Sequence, residues 1–112
     1  MDEWRELKIA VKALADMVRL SIVYHLAQHG EITVTDLTDK LGLSQPLVSW
    51  HLRKLRRAGL IETRRVGRQV YCSLDIHRFR LCLQRLERLV DPGASFETSP
   101  VGEALLEVGR ED

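Results

Sequence analysis

The sequence predicts a mainly α domain with a small β-hairpin, arranged as a winged helix-turn-helix, and three observations point there. A short helical pattern, a glycine turn and a capped second helix follow one another from Thr33 to Arg57. Two strand patterns with a basic turn come next, over Leu60 to Leu74. Positive charge is concentrated on that unit. Residues 51–68 carry Arg53, Lys54, Arg56, Arg57, Arg64, Arg65 and Arg68 against Glu62 alone, a net of +6. Residues 1–40 sum to −2 and residues 92–112 to −4, so the 112-residue chain reaches only +1.

Each element has its own signal. Residues 3–15 place Trp4, Leu7, Val11 and Leu14 at three- and four-residue steps, a helical period. Asp16 then caps a second helix that runs to about Gln28 with Val18, Ile22, Val23 and Leu26 inward; His29 and Gly30 end it. Ile32 to Val34 is long enough only for a scrap of strand, and Thr35 is expected to cap a brief helix from Asp36 to Leu41 that stops at Gly42. Ser44 caps the next helix, and Pro46 sits in its first turn, where a missing N–H costs little. One side of that helix carries Val48, Leu52 and Leu55. The other carries Ser49, Trp50, Arg53 and Arg57, with Gln45 and Arg56 at the edge. Gly59 ends the helix. Leu60–Arg65 and Gln69–Leu74 then form a hairpin, the wing, turning at Val66-Gly67-Arg68.

Asp75 caps a last helix from Ile76 to about Val90. Ile76, Phe79, Leu83, Leu86 and Val90 make one apolar seam, and Leu81 and Leu89 mark a second face. One face covers the domain's own core and the other needs a partner. The expected interface of a homodimer is therefore Trp4, Leu7 and Val11 from the first helix with Phe79, Leu83, Leu86 and Val90 from the last. Residues 1–91 read as one DNA-binding and dimerisation domain. Residues 92–112 read as an acidic, partly flexible tail in which Val101 to Val108 could form a short helix.

Bulk composition narrows the function classes. Hydrophobic content of 45% and charged content of 29% are ordinary for a globular chain. No stretch has the length of a membrane span or the pattern of a signal peptide, and two cysteines make no disulfide framework. A cytoplasmic protein with reduced thiols is expected, with no membrane partner. No nucleophile–histidine pair, phosphate-cradling glycine loop or acid pair appears, so an enzyme is not expected. The local field of a one-signed basic unit suits a polyanion. Double-stranded DNA is the expected partner: Ser44, Gln45, Ser49, Trp50, Arg53 and Arg57 come from the reading helix and Arg64, Arg65 and Arg68 from the wing. Gln45 and Ser49 are the expected base readers, and the wing arginines are expected to hold phosphate or to enter the minor groove. Trp50 has three open roles: stacking on a sugar, meeting a thymine methyl, or folding back onto the protein. The competing class is a protein–protein interaction module whose basic helix docks an acidic partner.

Taken in order, several segments resemble the ArsR/SmtB family of bacterial repressors: Val11–Asp16, Val18-Arg19-Leu20, Ile32–Leu37, Gly42–Ser49, His51-Leu52, Leu55–Ile61 and Gly67–Tyr71. The resemblance covers roughly residues 8–90. It implies a homodimeric winged-helix repressor on an inverted-repeat operator, released in many members by a metal ion or by thiol oxidation. The chain departs from the pattern in three places. Met17-Val18 stand where members have Pro-Thr, and the Cys-x-Cys of the soft-metal sensors is absent around Thr33 to Thr35. Asp75 and His77 match one half of the family's zinc-type site on the last helix. The other half would fall at Arg88 and Asp91, and arginine is no ligand. Zinc or nickel is the cofactor this half-match calls for, with the missing ligands to come from the partner or the tail. His25 and His29 form a second, weaker pair at i,i+4 spacing. Cys72 and Cys82 read first as small core hydrophobes and second as a thiol switch. A repressor that answers to no ligand is the remaining reading.

Overall fold

The computed structural model describes residues 3–95 and Val101. Five helices and three short strands follow in the order α1 (Glu3–Leu14), α2 (Met17–His29), β1 (Glu31–Thr33), α3 (Val34–Leu41), α4 (Gln45–Arg57), β2 (Ile61–Val66), β3 (Gln69–Leu74) and α5 (Ile76–Leu89). The expected helix over Val101 to Val108 lies, apart from Val101, outside the described residues.

Local capping chemistry sets most helix starts. The Asp16 carboxylate accepts from the Arg19 N–H at 3.0 Å, and the Asp75 carboxylate accepts from the Arg78 N–H at 3.0 Å. Ser44 Oγ accepts more loosely from the Leu47 N–H at 3.4 Å. Each satisfies one of the N–H groups that a first turn leaves without a partner. The Arg19 N–H holds the Asp16 carboxyl below the usual aspartate range, with the Arg19 charge adding to the effect.

One cap differs from the sequence expectation. Thr33, not Thr35, starts α3: its backbone is extended (φ −73°, ψ 153°) and its Oγ1 accepts from the Asp36 N–H at 3.1 Å. The cause is long-range. Glu31–Thr33 pairs antiparallel with β3, matching Ile32 to Cys72 and Thr33 to Tyr71, which fixes Thr33 in the extended conformation a cap requires. Thr35 falls inside the first turn. The scrap of strand is thus the third member of a sheet ordered β1-β3-β2.

The hairpin closes between Val66 and Gln69, leaving the two-residue turn Gly67-Arg68. Gly67 has φ +60° while Arg68 is not left-handed, the signature of a II′ turn with glycine first. Val66, expected in the turn, is the last residue of β2.

The core joins all layers. Ile22 and Leu26 of α2, Leu37 of α3, Val48 and Leu55 of α4, and Leu60 and Cys72 of the hairpin are almost wholly excluded from solvent. Leu7 and Ala10 of α1 and Cys82 of α5 extend the same cluster. Ion pairs Arg88–Glu3 (2.9 Å) and Arg85–Glu6 (3.7 Å) tie α5 to α1. Gly59 (φ +77°) lets the chain leave α4 under the Arg78 guanidinium, which a Cβ there would strike.

The expected dimer seam divides. Leu7 is buried within the subunit, and Trp4 and Phe79 are partly buried against the same core, so these three serve the monomer first. A heptad reading could not separate them from Val11, Leu83, Leu86 and Val90, which remain exposed; Leu83 is 48% and Val90 84% accessible. Ile76, Leu83, Leu86 and Val90 form an exposed stripe along one side of α5, next to the buried Cys82. A contiguous apolar stripe of this kind is the mark of an association surface.

Candidate nucleic-acid interface

Helix α4 buries Val48, His51, Leu52 and Leu55 and turns Pro46, Trp50, Arg53 and Arg57 outward. Alternation along the strands does the same for the wing. Thr63 and Arg65 share one face of β2, and period two puts Arg64 on the other. The result is an open groove between α4 and the hairpin. Gln45, Ser49, Arg53 and Arg56 line it from the helix and Thr63, Arg65, Arg68 and Gln69 from the wing, over a floor of Leu52, Val70 and Cys72. Arg56 donates to Thr63 Oγ1 at 3.4 Å across this groove. Arg56, left at the edge by the helical wheel, is a groove residue. Ser44, Trp50 and Arg57 lie outside the groove lining; Ser44 acts as the α4 cap, and the other two stand on the outer face of the helix.

Arg64 differs from the expected free phosphate grip. Glu31 of β1 takes it in a two-point pair, Nε to Oε2 at 2.9 Å and Nη2 to Oε1 at 2.7 Å. Its guanidinium lies 4.7 Å from the ring centre of Tyr71, its cross-strand neighbour. The Arg64 hydrogen bond holds the Glu31 carboxyl below its usual range, and Glu31 raises Arg64 in turn. Because the folded-state value of Glu31 is depressed, the pair holds through neutral pH and opens only as pH falls through that lowered value. Glu31→Gln removes the charge and the two-point fit. The expected result is that Arg64 becomes available to phosphate and the slope of log affinity against log salt steepens by up to about 1 per subunit. Fluorescence anisotropy at several salt concentrations reads that slope; an unchanged slope means Arg64 lies out of reach of the duplex.

Sequence reasoning missed one polar cluster entirely. His51 is buried (6% exposed) beneath α4, and the Arg19 guanidinium donates to its Nδ1 at 3.0 Å. Arginine has no acceptor, so Nδ1 carries the lone pair and Nε2 the proton. The His51–Asp16 approach of 3.6 Å is too long for a hydrogen bond, and the Arg19 contact decides the tautomer. Arg19 also donates from Nε to the Ala13 carbonyl. The junction of α1 and α2 is thereby bonded to the back of the outward-facing helix. Arg19 and His51 are 32 residues apart, and no local pattern announces the pair.

Asp75 and His77 do not by themselves complete a zinc or nickel site among the described residues of one subunit. Asp75 uses a carboxylate oxygen as the α5 cap, and His77 is exposed without a second ligand beside it. Arg88, at the position of the family's second half-site, is a cation held by both Glu3 oxygens and donating to the Ser95 carbonyl. Among the described residues no three His, Cys, Asp or Glu side chains gather to hold a metal ion. His25 and His29 stack with ring centres 6.3 Å apart. Both cysteines are buried. Burial, helped by the charge of Glu31, pushes the Cys72 thiol up to about 11, and burial also raises Cys82. Thiols held protonated in this way are poor nucleophiles at neutral pH. Among the described residues no helix is long and apolar enough to cross a membrane.

Known proteins share this arrangement. The model of the family described as "Bacterial regulatory protein, arsR family" matches residues 16–63, from the Asp16 cap to the first wing strand. The arsenic resistance transcriptional regulator ArsR1 of Pseudomonas putida is 46% identical over 66 residues, 59% of this chain and 52% of its own; the chain thus spans about half the length of that relative. The transcriptional activator HlyU of Vibrio cholerae is 36% identical over 81 residues, 72% of this chain and 74% of its own. A solved structure of V. cholerae HlyU superimposes with a TM-score of 0.64 at 34% identity, covering 77% of this chain and 92% of that one. The winged helix-turn-helix DNA-binding domain Mb0332 of Mycobacterium bovis, solved as a homodimer, gives 0.64 at 31% identity over 73% of this chain and 76% of its own. With the family model running from the Asp16 cap into β2, and relatives above 30% identity matched over about three quarters of their own length, the chain belongs to the arsR family of bacterial regulatory proteins.

Proposed function

We propose that this protein is a homodimeric transcriptional repressor that occupies an inverted-repeat operator in double-stranded DNA. The groove between α4 and the wing carries the proposal: Arg53, Arg56, Arg65 and Arg68 surround Gln45 and Ser49. A helix fits the major groove of B-DNA, and the first turns of such a helix reach the base edges. Gln45 is in the first turn of α4, with amide groups able to bridge adenine, while Ser49 follows one turn later. Arg65 and Arg68 stand on the wing to hold the adjacent backbone. The exposed stripe of α5, with Val11 of α1, supplies the self-association surface. The homodimeric relative Mb0332 supports that reading.

Release from DNA by a signal, a metal ion or another, is part of the proposal. The experiment is a competition titration with the promoter region upstream of the protein's own gene. Specific binding survives random competitor DNA and weakens linearly in log salt, with a slope near −0.9 for each phosphate neutralised. Equal displacement by promoter and random duplex contradicts the proposal. In the same assay Gln45→Ala relaxes the preference at particular base pairs by roughly 1–3 kcal/mol while leaving the salt slope intact. Unchanged base preference would displace α4 from the role of reading helix.

A further inference from the structure

Trp50 is the single Trp, Tyr or Phe of α4, and it is not a core residue: it stays 42% exposed on the outward face, one turn from Pro46 and Arg53. The ring is nonetheless anchored. Lys54 Nζ lies 4.9 Å from its centre, and the His51 ring meets it edge-on at 5.0 Å. His51 is itself fixed from behind by Arg19. A pinned indole therefore stands out from the helix among cations, offering one N–H donor and otherwise apolar surface.

A major groove presents donors and acceptors on every base pair but only one apolar group, the C5 methyl of thymine. An indole edge held among groups that grip phosphate has no other apolar partner there. We propose that Trp50 is a specificity-determining residue that reads a thymine by its C5 methyl in each operator half-site. The proposal rests on the reading of α4 as the major-groove helix, and it names a base type that Gln45 and Ser49 leave open. The ring rests on Lys54 and His51 yet the residue stays 42% exposed, which leaves surface for a base; a ring that serves only to pack on the protein gives uracil indifference in the test. Stacking on a sugar remains as an outcome of the test.

Uracil isolates the methyl, since it pairs as thymine does and lacks only that group. The full-length protein is used to select preferred duplexes from a random library, and each required thymine is then replaced by uracil in turn. At one symmetric position uracil is expected to weaken the wild type about fourfold per half-site, and roughly fifteenfold when both half-sites are changed. Trp50→Ala is expected to bind the thymine and uracil duplexes alike. Wild-type binding indifferent to every replacement, or discrimination retained in Trp50→Ala, overturns the proposal. Weakened binding of Trp50→Ala together with uracil indifference assigns the ring to a sugar and overturns it equally. The uracil scan of the wild type needs no variant to fold. Failure to select any sequence is a different result: it defeats the DNA reading itself, and the Trp50 proposal with it.

Discussion

Leu83→Glu is expected to convert the protein to a monomer and to abolish tight operator binding. Leu83 lies near the middle of the exposed α5 stripe, 48% accessible in the isolated subunit. Burying a leucine is worth roughly 1.5–3 kcal/mol, and a two-fold interface counts each side chain twice. The variant adds two carboxylates that must lose water without a partner, at a cost of several kcal/mol each. The sum exceeds roughly 6 kcal/mol, more than four decades in dimer dissociation. Sedimentation velocity on variant and wild type reads the change, and circular dichroism confirms that the subunit is still folded. Because Leu83 is outside the buried core, the helical signal should persist. A wild type that sediments as a monomer at micromolar concentration contradicts the assignment of this face.

The double change Arg65→Ala with Arg68→Ala carries the second large effect. Both side chains line the groove, and neither has a hydrogen-bonding partner of the kind that occupies Arg64. Removing two phosphate grips per subunit removes four per dimer. The slope of log affinity against log salt should flatten by roughly 3–4. Affinity falls for all sequences alike, so the ratio between operator and random duplex stays near its wild-type value. That pattern is the converse of Gln45→Ala, where the ratio falls and the slope holds. A slope unchanged in the double variant would place the wing off the backbone.

What the sequence disclosed, and what it hid, follows the range of the forces involved. Asp16, Ser44 and Asp75 could be named as caps because each bonds a backbone N–H three residues away. The inward seam of α4 followed from its 3.6-residue period. Thr33 displaced Thr35 because β1 pairs with β3 across nearly 40 residues, and no local pattern encodes that pairing. Arg64 and Arg65 looked alike as neighbours in a basic run. Strand alternation sends them to opposite faces, and Glu31, distant in sequence, takes one of them. Leu7 and Val11 shared one heptad seam, yet the packing of α1 on α5 buries only the first. The Arg19–His51 contact joins residues that meet only once the fold exists. The basic unit itself was legible because charge of one sign accumulates along contiguous sequence.

In the proposed dimer, two subunits present their α4 helices to one duplex at a spacing set by the dimer. Two-fold symmetric readers address half-sites about 34–36 Å apart, one turn or a multiple of it. The direct test inserts about 5 bp, half a turn, and then about 10 bp, a full turn, between the half-sites of the selected operator. Affinity for each is measured by anisotropy, with stoichiometry from sedimentation of the complex. The expected result is two subunits per duplex on the selected operator and a loss of at least tenfold on half-turn insertion, because the second helix then meets the wrong side of the duplex. A rigid dimer leaves the full-turn insert weakened too, but both helices again face one side of the DNA. One subunit per duplex, or affinity indifferent to the half-turn insertion, would contradict the account.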